Sequence, residues 1–289
     1  MKIHHLNLCT MCPFGGRLLS GGATPVYGAA ELVVHALLVE TDRDGLVLVD
    51  TGIGLEDVRS PLRRLGAGFV ALTRPRLREE DTAVRTIERL GFSRRDVRHI
   101  VVTHLDLDHA GGIPDFPEAT VHVYRREHEA ATRPRTASER RRYRKKHFEG
   151  ARWKLYDDGG DTWFGLQGLR VIADEVVLVP LPGHTRGHCA VGVRVDEPAG
   201  PEWLLHAGDA YFFHLEKEDP ECCPPLLKAF QRAVAVDDAE RRANAKRLRE
   251  LYRKHGRKVR VFSAHDPTEY RALAAIQRDR SEPRVAVGS

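Results

Sequence analysis

The sequence predicts an α/β fold, on three grounds. Short apolar runs ended by polar or small residues recur along the chain: Gly45–Val49, His99–Thr103, Val176–Val179, Trp203–Leu205 and Val259–Phe262. Runs of this length bounded by loop signals read as buried strands. Helical segments are interspersed with them, as in α/β units: Glu79–Leu90 leads into His99–Thr103, and Ala239–His255 precedes Val259–Phe262. A chain of 289 residues, 42% hydrophobic, suits a two-sheet sandwich, so one domain over residues 1–289 is expected.

The elements follow in order. Strands are expected over Leu32–Glu40 and Gly45–Val49, joined by the turn Thr41–Asp44. The helix Glu79–Leu90 stops at Gly91, and a further strand covers Thr120–Tyr124. Ala190–Val195 and Glu202–Leu205 read as a strand pair around a turn at Glu197–Pro201. Ala239–His255 is a highly charged helix closed by Gly256, and Thr268–Arg280 is a final helix with a threonine cap. The tail from Pro283 is expected to fray.

The chemistry concentrates where strands stop. His104-Leu-Asp106-Leu-Asp108-His109 sets two imidazoles and two carboxylates in six residues, directly after His99–Thr103. These groups suit zinc and other divalent first-row ions. Ala110-Gly111-Gly112 then gives a tight turn and keeps bulk away. His184, Asp209 and His265 are likewise delivered after apolar runs. A lone residue of this kind is usually a cap or a loop histidine; four clusters of one grammar are not. Asp50, after Gly45–Val49, reads either as a support for the metal loop or as a turn cap.

In their order, these motifs resemble the metallo-β-lactamase superfamily of metallo-hydrolases from about Val33 to Pro267, and most closely its N-acyl homoserine lactonase-like group. The resemblance implies an αββα four-layer sandwich of two mixed β-sheets flanked by helices, with metals in a cleft at one sheet edge. It also implies that His104, Asp106 and His184 hold a first ion, that Asp108, His109 and His265 hold a second, and that Asp209 bridges the two. The superfamily's first motif usually has histidine where this chain has Asp106. That exchange makes the first site harder and more anionic, so iron or manganese stands beside zinc as a candidate for the two divalent ions.

The expected function is hydrolysis of an ester or lactone of a small molecule, acyl homoserine lactone-like among the options. Divalent ions lower the pKa of bound water from 15.7 to about 7, which supplies the attacking group. Asp209 would orient the water, Asp108 would protonate the leaving group, and Tyr211 would donate to the carbonyl oxygen, unless Tyr211 is only a packed aromatic beside Phe212 and Phe213. His188 is expected to support the motif rather than to bind metal. The alternatives are an iron-dependent oxidoreductase of the same fold and a phosphodiesterase or nuclease.

The nuclease alternative rests on charge. Lys and Arg total 46 against 41 acids, a net +5, and much of the excess lies in a basic, helical insertion near 126–157 that includes Arg140–Lys146. With Tyr143 as its one interleaved aromatic, that run reads first as a solvated helical face and only second as a nucleic-acid grip. A third use would be recognition of an anionic group on a small substrate. No apolar stretch approaches the roughly 20 residues of a membrane span, and no secretory leader is evident, so a cytoplasmic location is the default expectation. Five cysteines argue against a disulfide framework, and Cys9 and Cys12 are expected in a loop. The sequence leaves the oligomeric state open, a dimer included.

Overall fold

The computed structural model describes residues 1–22, 24–195 and 200–281. Its strands are β1 (Lys2–Met11), β2 (Leu32–Glu40), β3 (Leu46–Val49), β4 (Val97–Val101), β5 (Thr120–Tyr124), β6 (Arg152–Tyr156), β7 (Asp161–Trp163), β8 (Leu166–Ile172), β9 (Val176–Pro180), β10 (Cys189–Arg194), β11 (Trp203–His206) and β12 (Val259–Phe262). They form two six-stranded sheets, ordered β1-β2-β3-β4-β5-β6 and β12-β11-β10-β9-β8-β7. The first is antiparallel through β1, β2 and β3, then parallel through β6. The second is antiparallel except for the parallel pair β11 and β12. Both sheets are mixed, as expected.

Side-chain alternation explains the four layers. In β2, Leu37 and Val39 pack between the sheets against Leu178, Val191 and Phe262, while Val34, Ala36 and Leu38 face the helical layer around Ile87. A strand covered on both faces reads as an unbroken apolar run, which is why β2 is buried along nearly its whole length. On the far side, Val179, Leu205 and Val261 of the second sheet pack against Leu248 and Leu251 of the helix Asp238–His255.

Several expectations need correction. Cys9 sits in β1 rather than in a loop: Thr10 and Met11 pair with Val33 and Leu32, and the thiol is buried. Residues 126–157 are not one helical insertion. Two short helices, Arg125–Thr132 and Ala137–Arg142, are followed by the edge strand β6. The helix expected over Glu79–Leu90 is a 3-10 turn at Glu79–Asp81 and a helix at Ala83–Arg89. The last helix is capped by Asp266, whose Oδ1 accepts from the amides of Thr268 and Glu269, instead of by a threonine. Residues 197–199 of the expected turn and the tail from Pro283 lie outside the described residues. Among those described, no helix is long and apolar enough to cross a membrane.

Candidate metal centre

Strand ends deliver the polar residues to one place. The chain leaves β4 through Val102 and Thr103, and His104 to Asp106 form a loop before the short helix Leu107–Ala110 presents Asp108 and His109. The loop after β9 brings His184, the turn after β11 brings Asp209, and the loop after β12 brings His265. Two glycines make this tight approach possible. A Cβ on Gly111 would lie 2.6 Å from Asp57 Oδ2, so its need is close contact rather than a sharp turn. Gly208 has φ +53 and sits against the His188 ring, where a Cβ would come within 2.5 Å of Nε2.

The seven residues named from sequence form two joined clusters. In the first, Asp106 Oδ2 lies 3.4 Å from His104 Nε2 and 3.1 Å from His184 Nε2, and Asp209 Oδ2 lies 3.2 Å from His184 Nε2. In the second, Asp209 Oδ1 lies 3.3 Å from His109 Nε2 and 3.2 Å from His265 Nε2, with Asp108 Oδ2 at 3.9 and 3.7 Å from the same nitrogens. A tetrahedral zinc with ligands about 2.0–2.1 Å away sets its ligand atoms roughly 3.3 Å apart. The clusters have that spacing, and Asp209 offers one oxygen to each. Among the described residues, His104 Nε2 and Asp209 Oδ1 are buried with no hydrogen-bond partner, and His109 Nε2 and His265 Nε2 face each other at 3.4 Å. Buried polar atoms left unpaired around a common centre are what a bound cation would satisfy. The donor set therefore fits two divalent ions.

The outer hydrogen bonds fix which imidazole nitrogen points inward. His109 Nδ1 donates to Asp50 Oδ2 at 2.8 Å, and His265 Nδ1 donates to the Val33 carbonyl at 2.8 Å. Thr103 Oγ1 donates to Asp50 Oδ2 at 2.8 Å, so it accepts from His104 Nδ1 at 3.0 Å. All three Nε2 lone pairs are thereby directed to the centre, the arrangement typical of metal-bound histidines. Asp50 is fully buried at φ 58, and besides His109 it accepts from the Thr103 amide at 2.7 Å; it supports the site rather than capping a turn. His188 also acts as expected: Nδ1 donates to the Leu181 carbonyl, and Nε2 accepts from the Asp209 amide at 2.9 Å. His206 joins it: its Nδ1 accepts from the neighbouring Gly208 amide at 3.2 Å while Nε2 meets the His35 carbonyl at 2.6 Å. Two imidazoles thus hold consecutive amides of the turn that carries Asp209.

Electrostatics follow the geometry. Burial opposes charge on Asp106, but Arg142 and His104 outweigh it and hold the carboxyl well below its usual range. Burial likewise opposes charge on Asp209, and His265, His109 and His184 reverse it. Burial pulls His184 down to about 4, so it is a neutral donor at pH 7. His109 moves the other way: Asp209, Asp108 and Asp50 overcome burial and raise it well above its ordinary value, so cation binding there must expel a proton.

Tyr211 is not part of this arrangement. Its hydroxyl is buried and donates to Glu269, both carboxylate oxygens lying 3.0 Å away, and the ring packs with the core of the second sheet. A cavity of about 640 Å³ opens over Asp106, Asp108, His184, Asp209 and His265, and Tyr211 is not among its lining residues. Its lining includes the apolar Met11, Leu19, Leu32, Phe69, Phe212 and Phe230 and the basic Arg141, Arg142 and Arg144.

Sequence reasoning missed Arg142 and Glu127. Arg142 pairs with Asp106 through Nε, 2.7 Å from Oδ1 and 3.1 Å from Oδ2; Nη1 donates to the His184 carbonyl at 2.9 Å, and Nη2 donates to the Val234 carbonyl at 2.8 Å and lies 3.2 Å from His184 Nε2. Glu127 is fully buried and accepts from the Leu105 amide, Tyr143 Oη, Thr185 Oγ1 and the Gly187 amide. The available signal was three acids, Glu127, Glu129 and Glu139, standing within a basic run.

Comparison with known proteins agrees with this geometry. Residues 29–265 match the family model of the metallo-beta-lactamase superfamily. A probable metallo-hydrolase of Mycobacterium tuberculosis is 41% identical over 274 residues, covering 93% of this chain and 82% of the relative. An N-acyl homoserine lactonase of Azorhizobium caulinodans is 31% identical over 239 residues, covering 82% and 83%. Among solved structures, an N-acyl homoserine lactone hydrolase with N-hexanoyl-L-homoserine at its catalytic metal centre superposes with a TM-score of 0.70 at 23% identity, covering 94% of this chain and 95% of the other. With strand order, ligand spacing and sequence all in agreement, the chain belongs to the metallo-β-lactamase superfamily.

Proposed function

We propose that this metallo-hydrolase opens the ester bond of a small lactone or linear ester that carries an apolar substituent, with acyl homoserine lactones as the leading class. The observation that carries the reading is the pair of clusters sharing Asp209, set at the floor of a largely apolar cavity. When bound, divalent ions supply an attacking group from water at neutral pH and polarise the carbonyl. The first ion would be held by His104, Asp106 and His184, the second by Asp108, His109 and His265, with Asp209 serving both. Zinc suits these donors, and Asp106 leaves iron and manganese as alternatives.

The chain's own residues have definite tasks. Asp209, held by His188 and His206 through its turn, orients the attacking water. Water adds to the carbonyl carbon, the bond to the leaving oxygen breaks, and a proton must reach that oxygen to give acid and alcohol. Asp108 lines the cavity and offers Oδ2 to the second cluster, which leaves its other oxygen to carry that proton. Met11, Leu19, Phe212 and Phe230 exclude water and hold the apolar substituent. Tyr211 has no catalytic task, because Glu269 occupies its hydroxyl.

The test is elemental analysis joined to a panel of lactone, thioester and phosphodiester substrates. We expect about two divalent ions per chain and turnover of lactones with medium acyl chains. Replacing His109 with alanine should lower lactone turnover by at least about a thousandfold while the circular dichroism spectrum persists. One iron without hydrolysis would put the oxidoreductase reading first, and cleavage of phosphodiesters alone would put the nuclease reading first.

A further inference from the structure

We propose that Arg142 is the charge partner that makes Asp106 a usable metal ligand: it clasps the carboxylate and cancels the charge that this group adds to the first cluster. The inference deepens the two-ion reading and rests on it. Asp106 is the one residue of the first cluster that brings a negative charge of its own, since Asp209 is shared and the other two donors are imidazoles. Oδ2 faces His104 Nε2 at 3.4 Å and His184 Nε2 at 3.1 Å, and Arg142 Nε spans both oxygens, 2.7 Å from Oδ1 and 3.1 Å from Oδ2.

Arg142 differs from the other basic residues around it. Arg140, Arg141, Arg144, Lys145 and Lys146 are exposed, but the Arg142 side chain keeps only 12% exposure. Its guanidinium is held by Asp106, the His184 carbonyl and the Val234 carbonyl that ends the helix Pro225–Val234, and its Nη2 also lies 3.2 Å from His184 Nε2. A planar fork of donors can span these acceptors at once, which a lysine ammonium cannot. The charges balance: His104 and His184 with the Asp106–Arg142 pair carry the net charge that three imidazoles would carry. Without Asp106, Arg142 becomes an uncompensated cation beside the ion; without Arg142, Asp106 loses its counter-charge. Each single change should therefore harm the site, and the double change should repair it.

The experiment titrates zinc into metal-free full-length protein by calorimetry, counts bound metal by elemental analysis, and follows folding by circular dichroism. Wild type should take up two ions. Arg142→Gln should bind one of them about 10- to 100-fold more weakly, as loss of an outer partner does, and Asp106→His should do the same. Asp106→His/Arg142→Gln should again hold two ions with affinities near wild type. Wild-type binding of both ions by Arg142→Gln, or a double variant no tighter than Asp106→His alone, overturns the pairing. If Arg142→Gln does not fold, the double variant decides: folded with two ions it upholds the pairing, and unfolded it makes Arg142 a scaffold residue and overturns it. A wild-type chain that binds no metal would instead sink the reading on which the pairing rests.

Discussion

The two halves of the metal centre are braced from different parts of the molecule. The second cluster leans on the sheets: His109 on Asp50 at the end of β3, and His265 on the Val33 carbonyl in β2. The first leans on residues 125–147. Glu127 ties the His104 loop to the His184 loop, Glu139 holds Arg186 at 2.9 Å, and Arg142 holds Asp106. Even the imidazoles differ. Nδ1 of His184 is buried without a partner among the described residues, whereas His104, His109 and His265 each have one. One half is thus a property of the sandwich, and the other depends on a segment laid across the strand ends. Changes in that segment should alter the first ion and the cavity wall while leaving the second ion in place.

Three changes bear on this division. The largest effect should come from Glu127→Ala, which leaves four buried donors unpaired and should cost about 3–5 kcal/mol of stability. Thermal unfolding measures that loss, and metal analysis of the folded fraction should show the first ion depleted and the second retained. Equal loss of both would erase the distinction. Asp50→Asn comes next. It removes the charge that orients His109 and should weaken the second ion about 10- to 100-fold, and the first by less, because Asp50 reaches His104 only through Thr103, as read by competition with a chelator.

The smallest effect concerns Asp115, which accepts from the Leu55 amide at 2.9 Å near the loop that follows β3. Burial, with Asp57 and Glu56 nearby, pushes its pKa up to about 6. Because the folded value lies above the unfolded one, near 3.9, the folded state binds more protons between the two. Stability should therefore fall as pH rises from about 4 to about 6, then level off. Asp115→Asn should remove that slope and gain about 1–2 kcal/mol above pH 7, measured by urea unfolding. An unchanged slope would mean that Asp115 does not set it.

The strand-end grammar made much of this legible. A backbone leaving a buried strand must stop being apolar, so ligands at those positions stand out in sequence, and the residues expected to hold metal, His104, Asp106, Asp108, His109, His184, Asp209 and His265, lie close together. The bracing was not legible. Arg142 looks like any member of the Arg140–Lys146 run, since one residue's phase on a short helix decides whether it is buried. β1 was missed because His4, His5 and Asn7 break its apolar pattern; their partners, Glu40, His35 and Thr10, come from packing and not from periodicity. Tyr211 misled for the opposite reason: two residues past Asp209 it looked catalytic, and Glu269, 58 residues away, claims its hydroxyl.

The bond from His265 Nδ1 to the Val33 carbonyl joins residues 232 positions apart. A growing chain holds six of its seven donors once Asp209 has been made, yet the second cluster cannot close until the loop after β12 docks beside β2. Contacts of such sequence separation form late. Ion uptake at that position should thus act as a seal on a finished molecule, and a chain stalled before β12 would leave the ribosome unable to keep its second ion.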